Sequence, residues 1–300
     1  MKTKPKSIFL LFLTAIIWGF AFVAQKVGAQ FVGAFTFNGI RFLLGALSLF
    51  PVIMFLEKEK VGKEKFRTTL KAGLIGGVVL FLASTLQQYG VEITNSAGKS
   101  GFITGLYTVF VPIAAFFFMK KKTGILTWIG AVFAVGGLYL LCMTGDEKVG
   151  IGDLVLLIGT VFWTVHILVI DKFVSQISPL RFAQIQFAVC GVLSIICALI
   201  LEDITFEAVK SALLPILYGG LMSVGVAYTL QVIAQKRANP TFAAIVFSTE
   251  AVFSAVGGAI FGIDSISALG YVGCAIIFAG IVISQLNFGK KKQSEDKMLK

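Results

Sequence analysis

Ten times along this chain a run of apolar residues reaches the length needed to cross a lipid bilayer. A spanning helix needs roughly 20 mostly apolar residues, because the hydrocarbon core is about 30 Å thick and a helix rises about 1.5 Å per residue. The runs lie at about 7–25, 33–56, 69–90, 98–119, 124–144, 151–170, 181–201, 211–234, 240–262 and 267–287. Only short connections remain between them, which leaves little room for a soluble catalytic domain. The composition, 57% hydrophobic and 14% charged, agrees. In water such a chain would expose large apolar patches. The expected architecture is an all-α polytopic membrane protein of ten transmembrane helices.

A net charge of +11 would suggest a nucleic-acid partner for a soluble protein. Here the cations sit in short loops and report orientation instead. Of the 26 lysines and arginines, 21 fall in the alternate segments 1–6, 57–71, 120–123, 171–181, 235–239 and 288–300. The intervening segments hold Lys26, Lys99, Lys148 and Lys210, and the remaining cation, Arg41, lies inside the second run. This bias places both termini in the cytoplasm, and one miscounted span would scramble it. The expected location is the plasma (inner) membrane, with a basic cytoplasmic tail at 288–300 and no nucleic acid as partner. Lys2, Lys4 and Lys6 before an apolar run imitate a signal peptide, but no small-residue cleavage site precedes Gln25 and Lys26, so the run reads as a retained span. Cys142, Cys190, Cys197 and Cys274 lie in apolar spans without CxxC spacing, the pattern of buried free thiols rather than a metal or redox site.

The chain is duplicated. "AIIWGFAFVAQK" (15–26) sets onto "TVFWTVHILVID" (160–171) at an offset of 145, bringing Trp18 onto Trp163; "FNGIRF" (37–42) sets onto "FAQIQF" (182–187), bringing Arg41 onto Gln186. Further on the offset is 143, pairing Gly76-Gly77 with Gly219-Gly220, Gln88 with Gln231, Phe110 with Phe253, and Gly130 and Gly137 with Gly273 and Gly280. Five spans is an odd number, so the second copy enters the membrane from the opposite side. A 5+5 inverted-topology repeat is a recurring architecture of secondary transporters, with substrate held at mid-membrane between the halves. A repeat kept only for structure, as in a channel or receptor, is the competing reading. Gly73/Gly77, Gly101/Gly105 and Gly258/Gly262 have the GxxxG spacing of close helix contacts, read as packing within the protomer; the oligomeric state is open.

These stretches, with "WGFAFV", "RFLLGAL", "SAGKSGFITGLYTVFVP" and "GDLVLLIGTVFWTVHI", resemble the EamA branch of the drug/metabolite transporter superfamily. The resemblance covers nearly the whole chain as two five-helix units, at about 8–142 and 151–286. It implies export of small metabolites, since relatives move amino acids, aromatic metabolites, nucleosides and other small compounds. It also implies that the fifth helix of each copy is peripheral. One departure stands out: the family often shows Glu-Pro in the fourth helix of the second copy, where this chain has Glu250-Ala251. No proline is supplied to kink the helix beside that glutamate.

An ionisable group at mid-span costs about 2.5–3.5 kcal/mol on insertion scales, so one that is kept usually faces a cavity or a partner. Glu250, near the middle of span 9, reads as a cavity-lining or proton-carrying group, against the alternative of a packing residue. Arg41 in span 2 reads as structural, paired with a carboxylate or carbonyls or snorkelling outward. His166 is the only histidine. It shares a helix face with Trp163, three residues away, and reads equally as cavity wall or as a core histidine bonded to a neighbouring helix. Asp171, five residues beyond, opens a cytoplasmic loop and is expected to be solvated. Nothing here has metal-ligand spacing. Spans 3, 4 and 8 add clustered hydroxyls, amides and rings, including Thr85, Gln87, Thr104 and Ser223. The expected substrate site comprises Trp18, Ser84, Gln88, Tyr107, Trp163, His166, Tyr228, Gln231 and Glu250, whose apolar walls and few polar groups suit a small polar or aromatic compound. A proton or ion is a candidate coupling species, and import remains an alternative to export. No Walker A, HExxH, GxSxG or paired intramembrane acidic motif occurs, so neither an ATPase, another enzyme nor a cofactor is expected.

Overall fold

The computed structural model describes residues 5–57, 62–121, 123–142, 150–262 and 267–285. Lys148, Asp264 and the basic segment 288–300 lie outside the described residues. The first half contains α1 (Pro5–Gly28), α2 (Ala34–Leu56), α3 (Lys63–Thr94), a fourth span made of α4 (Ala97–Gly105) and α5 (Tyr107–Met119), and α6 (Ile125–Cys142). The second half contains α7 (Ile151–Phe173), α8 (Pro179–Leu201) and the short α9 (Phe206–Ser211). Span 8 follows, built from α10 (Leu213–Leu217), a π-helical segment (Tyr218–Tyr228) and α11 (Thr229–Gln235). Span 9 consists of α12 (Pro240–Phe247) and α13 (Glu250–Ile260), and α14 (Ala268–Gln285) is span 10. Eight of these spans are long and apolar enough to cross a membrane. The other two, α6 and α14, have 18 described residues each. At about 1.5 Å per residue that is about 27 Å, close to the hydrocarbon thickness. The chain is a ten-span helical membrane protein.

Local chemistry sets the ends. Ser96 Oγ accepts from the Lys99 amide to start α4, and Asn239 Oδ1 accepts from the Thr241 amide ahead of Pro240 at the first position of α12. Asn95 and Lys120, both with φ near +50°, terminate α3 and α5 in the left-handed conformation. The distribution of side chains is the reverse of a soluble protein's. Phe116, Phe117, Phe118, Leu199, Ile200 and Leu201 are exposed, whereas Arg41, Gln88, His166, Gln186, Gln231 and Glu250 are buried. An apolar exterior costs nothing against lipid, while polar groups must find partners or a cavity inside.

The halves are related by a pseudo-two-fold axis, and individual contacts show it. A Cβ built on Gly130 would meet Gly280 O at 2.6 Å, and one on Gly137 would meet Gly273 O at 2.5 Å. The repeat exchanges Gly130 with Gly273 and Gly137 with Gly280, so each contact is the image of the other. The absent side chains let α6 and α14 touch backbone to backbone. A second image pair joins α2 and α8. Glu202, at the end of α8, accepts from Phe35 N at 2.8 Å, Thr36 N at 2.8 Å and Thr36 Oγ1 at 2.7 Å, satisfying amides that open α2. Glu57, at the end of α2, accepts from Arg181 Nε at 2.8 Å and from Ser178 Oγ at the start of α8. At the offset of 145, Glu57 is the mate of Glu202 and Thr36 the mate of Arg181. Each second helix therefore ends in a carboxylate that anchors the start of the other. The Gly73/Gly77 pair packs on Ile185 and Val189 of α8, inside the protomer.

Candidate functional site

The two fourth spans are each interrupted by one tightened turn, at matching places. Leu106 N bonds to Ile103 O and Thr249 N to Val246 O, both three residues back rather than four. In span 9 the missing proline is replaced by hydroxyls: Ser248 Oγ donates to Ile245 O at 2.8 Å and Thr249 Oγ1 to Val246 O at 2.7 Å. Such back-bonding competes with the helix ladder and bends it. The absence of Glu-Pro therefore does not leave span 9 straight. In span 4 Gly105, a weak helix former, stands beside the matching break.

Immediately after these breaks stand Tyr107 and Glu250, the first residues of α5 and α13. Tyr107 Oη donates to Glu250 Oε1 at 2.8 Å. They are repeat mates, and mates can touch only at the pseudo-two-fold axis. In an inverted repeat that axis runs in the membrane plane, so the bond marks mid-depth.

Around it lies a cavity of about 30 Å³ lined from both halves, by Trp18, Gln25, Arg41, Gln87, Thr104 and Tyr107 and by Trp163, Ser223, Tyr228, Gln231, Phe247 and Glu250, among others. Tyr228 is the hub of its aromatic wall. Its ring lies 4.7 Å from Trp18, 6.0 Å from Trp163 (stacked), 6.0 Å from Phe42 and 5.9 Å from Phe187. The π-helical segment that ends in Tyr228 carries Gly219, Gly220 and Gly225. A Cβ on Gly220 would meet Leu44 Cδ2 at 2.7 Å and Arg41 O at 3.0 Å, so only glycine lets span 8 lie this close to α2. The wide turn re-aims the side chains beyond it. Several polar atoms at the wall have no hydrogen-bond partner among the described residues: Trp18 Nε1, Trp163 Nε1 and Gln231 Oε1. Buried donors and acceptors are normally satisfied. Here they point to water or cargo.

Six of the nine expected site residues line this cavity: Trp18, Tyr107, Trp163, Tyr228, Gln231 and Glu250. Ser84, Gln88 and His166 stand one layer behind it. Ser84 Oγ is held by Phe81 O at 3.4 Å and Cys190 Sγ at 3.6 Å, and Gln88 Nε2 donates to Gln25 O at 3.2 Å. His166 is fully buried, with Nε2 2.9 Å from Gln186 Oε1 on α8 and its ring 5.8 Å from Trp163. Of the two readings of this histidine, the geometry matches the one bonded to a neighbouring helix. Asp171 is not solvated: it pairs with Lys121, and its side chain is 8% exposed. Arg41 neither snorkels nor pairs with a carboxylate among the described residues. It is 2% exposed, donates from Nε to Asn38 Oδ1 at 2.9 Å, and lies over the Phe37 and Phe42 rings at 5.2 and 5.0 Å.

Gln25 adjoins Lys26 and reads from the sequence as the polar end of span 1, whereas α1 runs on to Gly28 and Gln25 lines the cavity. Gln87 donates to Gln25 Oε1 at 3.2 Å and faces the cavity in place of its neighbour Gln88. Adjacent residues point about 100° apart on a helix, and the doublet alone did not say which faces inward.

A family model described as "EamA-like transporter family" matches residues 5–143 and again 150–286. The chain belongs to the EamA-like transporter family. An uncharacterized transporter of Archaeoglobus fulgidus is 26% identical over 276 residues, covering 92% of this chain and 84% of its own. The uncharacterized transporter YoaV of Bacillus subtilis is 24% identical over 293 residues, covering 92% of this chain and 96% of its own. One protein of known crystal structure shares the fold over 94% of this chain and 97% of its own, with a TM-score of 0.79 at 17% identity. This EamA-like chain is a multi-pass membrane transporter, and its relatives point away from an enzyme.

Proposed function

We propose that this EamA-like protein is a secondary transporter that exports small metabolites, amino acids or related polar and aromatic compounds, across the plasma membrane by alternating access. The observation that carries the reading is the Tyr107–Glu250 bond between repeat mates in a cavity shared by both halves. A site on the pseudo-two-fold axis is equidistant from the two faces, so rocking one half against the other can open it to either side in turn. The present cavity of about 30 Å³ holds no more than one or two water molecules. A metabolite needs a pocket of roughly 300 Å³ or more, and enters only when the halves part. In this reading the units at 8–142 and 151–286 are the moving parts, both termini and the tail at 288–300 face the cytoplasm, and Glu250 is a candidate proton carrier. Trp18, Trp163 and Tyr228 supply apolar area, Tyr107, Gln231 and Glu250 orient polar ends, and Ser84, Gln88 and His166 hold the wall from behind.

The test is a metabolite screen of a deletion strain, followed by flux measurements with purified protein in liposomes. Intracellular retention of a compound, restored to export by the intact gene, is the expected outcome. Loss of uptake instead of export would make it an importer. Flux without counterflow of substrate would make it a channel.

A further inference from the structure

A groove runs down the outside of the protein where α5 of the first half meets α7 of the second. Its volume is about 860 Å³, and Phe110, Ala114 and Phe118 of α5 face Thr164, Val165 and Leu168 of α7 across it. Thr164 Oγ1 donates to Thr160 O at 2.9 Å, so this hydroxyl is occupied by its own helix. The repeat explains why the seam is open. The mates of Phe110 and Thr164 are Phe253 and Gly19, and those of Ala114 and Val165 are Gly257 and Phe20. A Cβ on Gly19 would meet Phe253 Cβ at 2.3 Å, and one on Gly257 would meet Phe20 Cδ1 at 3.0 Å. These glycines let α1 and α13 close on each other. At the α5–α7 seam the same places carry Thr164 and Ala114, whose side chains hold the helices apart. The hollow at the image position is about 450 Å³ and is walled by Val27, Leu214 and Phe261 among others, none of them charged.

The groove has the length and the charge of a lipid site. On α7 it extends from Val161 to Lys172. At about 1.5 Å per residue that is about 16 Å, the depth of one leaflet of a hydrocarbon core about 30 Å thick. The apolar stretch ends at Lys172, which is exposed, holds Nζ 5.6 Å from the Phe173 ring and makes no ion pair among the described residues. Lys120, also exposed, directly follows Met119 of the same groove. The neighbouring acid, Asp171, is already paired with Lys121. A lysine at a membrane face needs no ligand, since it can snorkel to water. What distinguishes Lys172 is its mate, Val27: the charge stands only at the seam that is open. Basic pockets between transmembrane helices suit anionic headgroups.

We infer that this groove binds one anionic phospholipid, with an acyl chain between α5 and α7 and the headgroup phosphate on Lys172 and Lys120. The occupant is membrane lipid and not cargo. Trp163 and Ile167 turn to the central cavity while Val165 and Leu168 turn to the groove, so α7 stands between the two. Phe118 at the rim is 85% exposed, which opens the groove to the bilayer. Seated there, the lipid joins the first half to the second along one leaflet, on the side to which the loop charges assign the cytoplasm.

The test uses the full chain with Trp128→Phe in bilayers of dioleoylphosphatidylcholine and dioleoylphosphatidylglycerol. A reporter tryptophan is placed at the groove by Phe118→Trp, or at its image by Phe261→Trp. Lipids brominated on their acyl chains quench an indole they touch, so brominating each lipid in turn reads the relative affinity of the two headgroups at that place. The protein without the added tryptophan measures the background from Trp18 and Trp163. At Phe118→Trp the anionic lipid should be preferred about five-fold or more, against less than about two-fold at Phe261→Trp. Lys172→Val, which copies the mate, should bring the first preference below about two-fold, and Lys172→Arg should keep it. Ala114→Phe fills the groove with the lysines intact and should abolish the preference as well. Equal preference at the two reporters, preference for neither lipid, or a preference that survives Lys172→Val or Ala114→Phe overturns the inference. Should Lys172→Val or Ala114→Phe fail to fold, Lys172→Gln and the comparison of the two reporters decide. None of these readouts uses flux, so the transport reading stands or falls separately.

Discussion

Spans 3 and 8 are the same element in the two halves, yet α3 is one continuous helix of 32 residues while span 8 is broken by an 11-residue π-helical segment. At equivalent positions the first presents Thr85 and the second Tyr228. The divergence recurs elsewhere in the repeat: Arg41 corresponds to Gln186, and on the axis Tyr107 is bonded to its own mate, Glu250. The contacts that hold the helices together are conserved between the halves, as the glycine contacts of α6 and α14 and the Glu57 and Glu202 anchors show. Of the groups that face the cavity, Trp18 and Trp163 are identical mates, whereas Tyr107 and Glu250 differ, as do Tyr228 and Arg41 from their mates Thr85 and Gln186. A duplicated frame can move symmetrically while its contents differ, and that difference lets one end of a bound molecule be told from the other.

The strongest way to break this comparison is to remove what only one half has. Tyr228→Ala should lower transport by about 100-fold or more at matched membrane expression, because it empties the centre of the aromatic wall; losing a buried aromatic ring costs about 3–5 kcal/mol. Thr85→Ala, its mate, should stay within about two-fold, since Thr85 Oγ1 has no partner among the described residues to lose. Trp163→Ala should resemble Tyr228→Ala, and Trp128→Ala in α6 should resemble Thr85→Ala. Comparable losses at all four positions would show that folding, not the cavity, is being measured.

A sharper and smaller effect lies on the axis itself. Tyr107→Phe removes one hydrogen bond to a carboxylate, worth about 1.5–3 kcal/mol, and leaves Glu250 with no side-chain hydrogen-bond partner among the described residues. A loss of transport of about ten-fold or more is expected, with Glu250→Gln at least as severe. The double variant should be no worse than Glu250→Gln alone, because the two residues act through one bond. Additive losses would separate the pair and remove the axis contact from the mechanism.

How far these features can be read from the sequence follows the same division. Span count, inverted repeat and family are legible because they depend on run length, loop charge and offset, each of which integrates over many residues. Trp18, Tyr107, Trp163, Tyr228, Gln231 and Glu250 are legible as aromatic, amide or charged groups in apolar surroundings. Ser84, Gln88 and His166 were grouped with them because a helical face can be read from spacing, but which face meets a cavity depends on the neighbouring helix. Arg41 shows the limit most clearly. Its charge is visible in the sequence, but the absence of a countercharge beside it among the described residues is a property of three dimensions. The π-helical segment left no more trace than three glycines.

The smallest expected effect concerns the frame. Glu202 accepts three hydrogen bonds, two from amides that open α2, while Glu57 accepts from the partly exposed Arg181 and from Ser178. The two anchors sit at opposite ends of the α2–α8 pair. Glu202→Gln should destabilise the detergent-solubilised protein by about 1–3 kcal/mol, because it takes a charged acceptor from the start of a helix. Glu57→Gln should cost less, about 0.5–1 kcal/mol, since solvent screens its pairing with Arg181. If α2 and α8 form a fixed frame around which the other spans rock, the anchors are independent and their effects add within about 0.5 kcal/mol. The alternative is that the anchors are gates that break in turn, one at each face. A double variant that departs from additivity by about 1 kcal/mol or more in chemical denaturation would favour the gates, and spans 2 and 7 would then have to be counted among the parts that move.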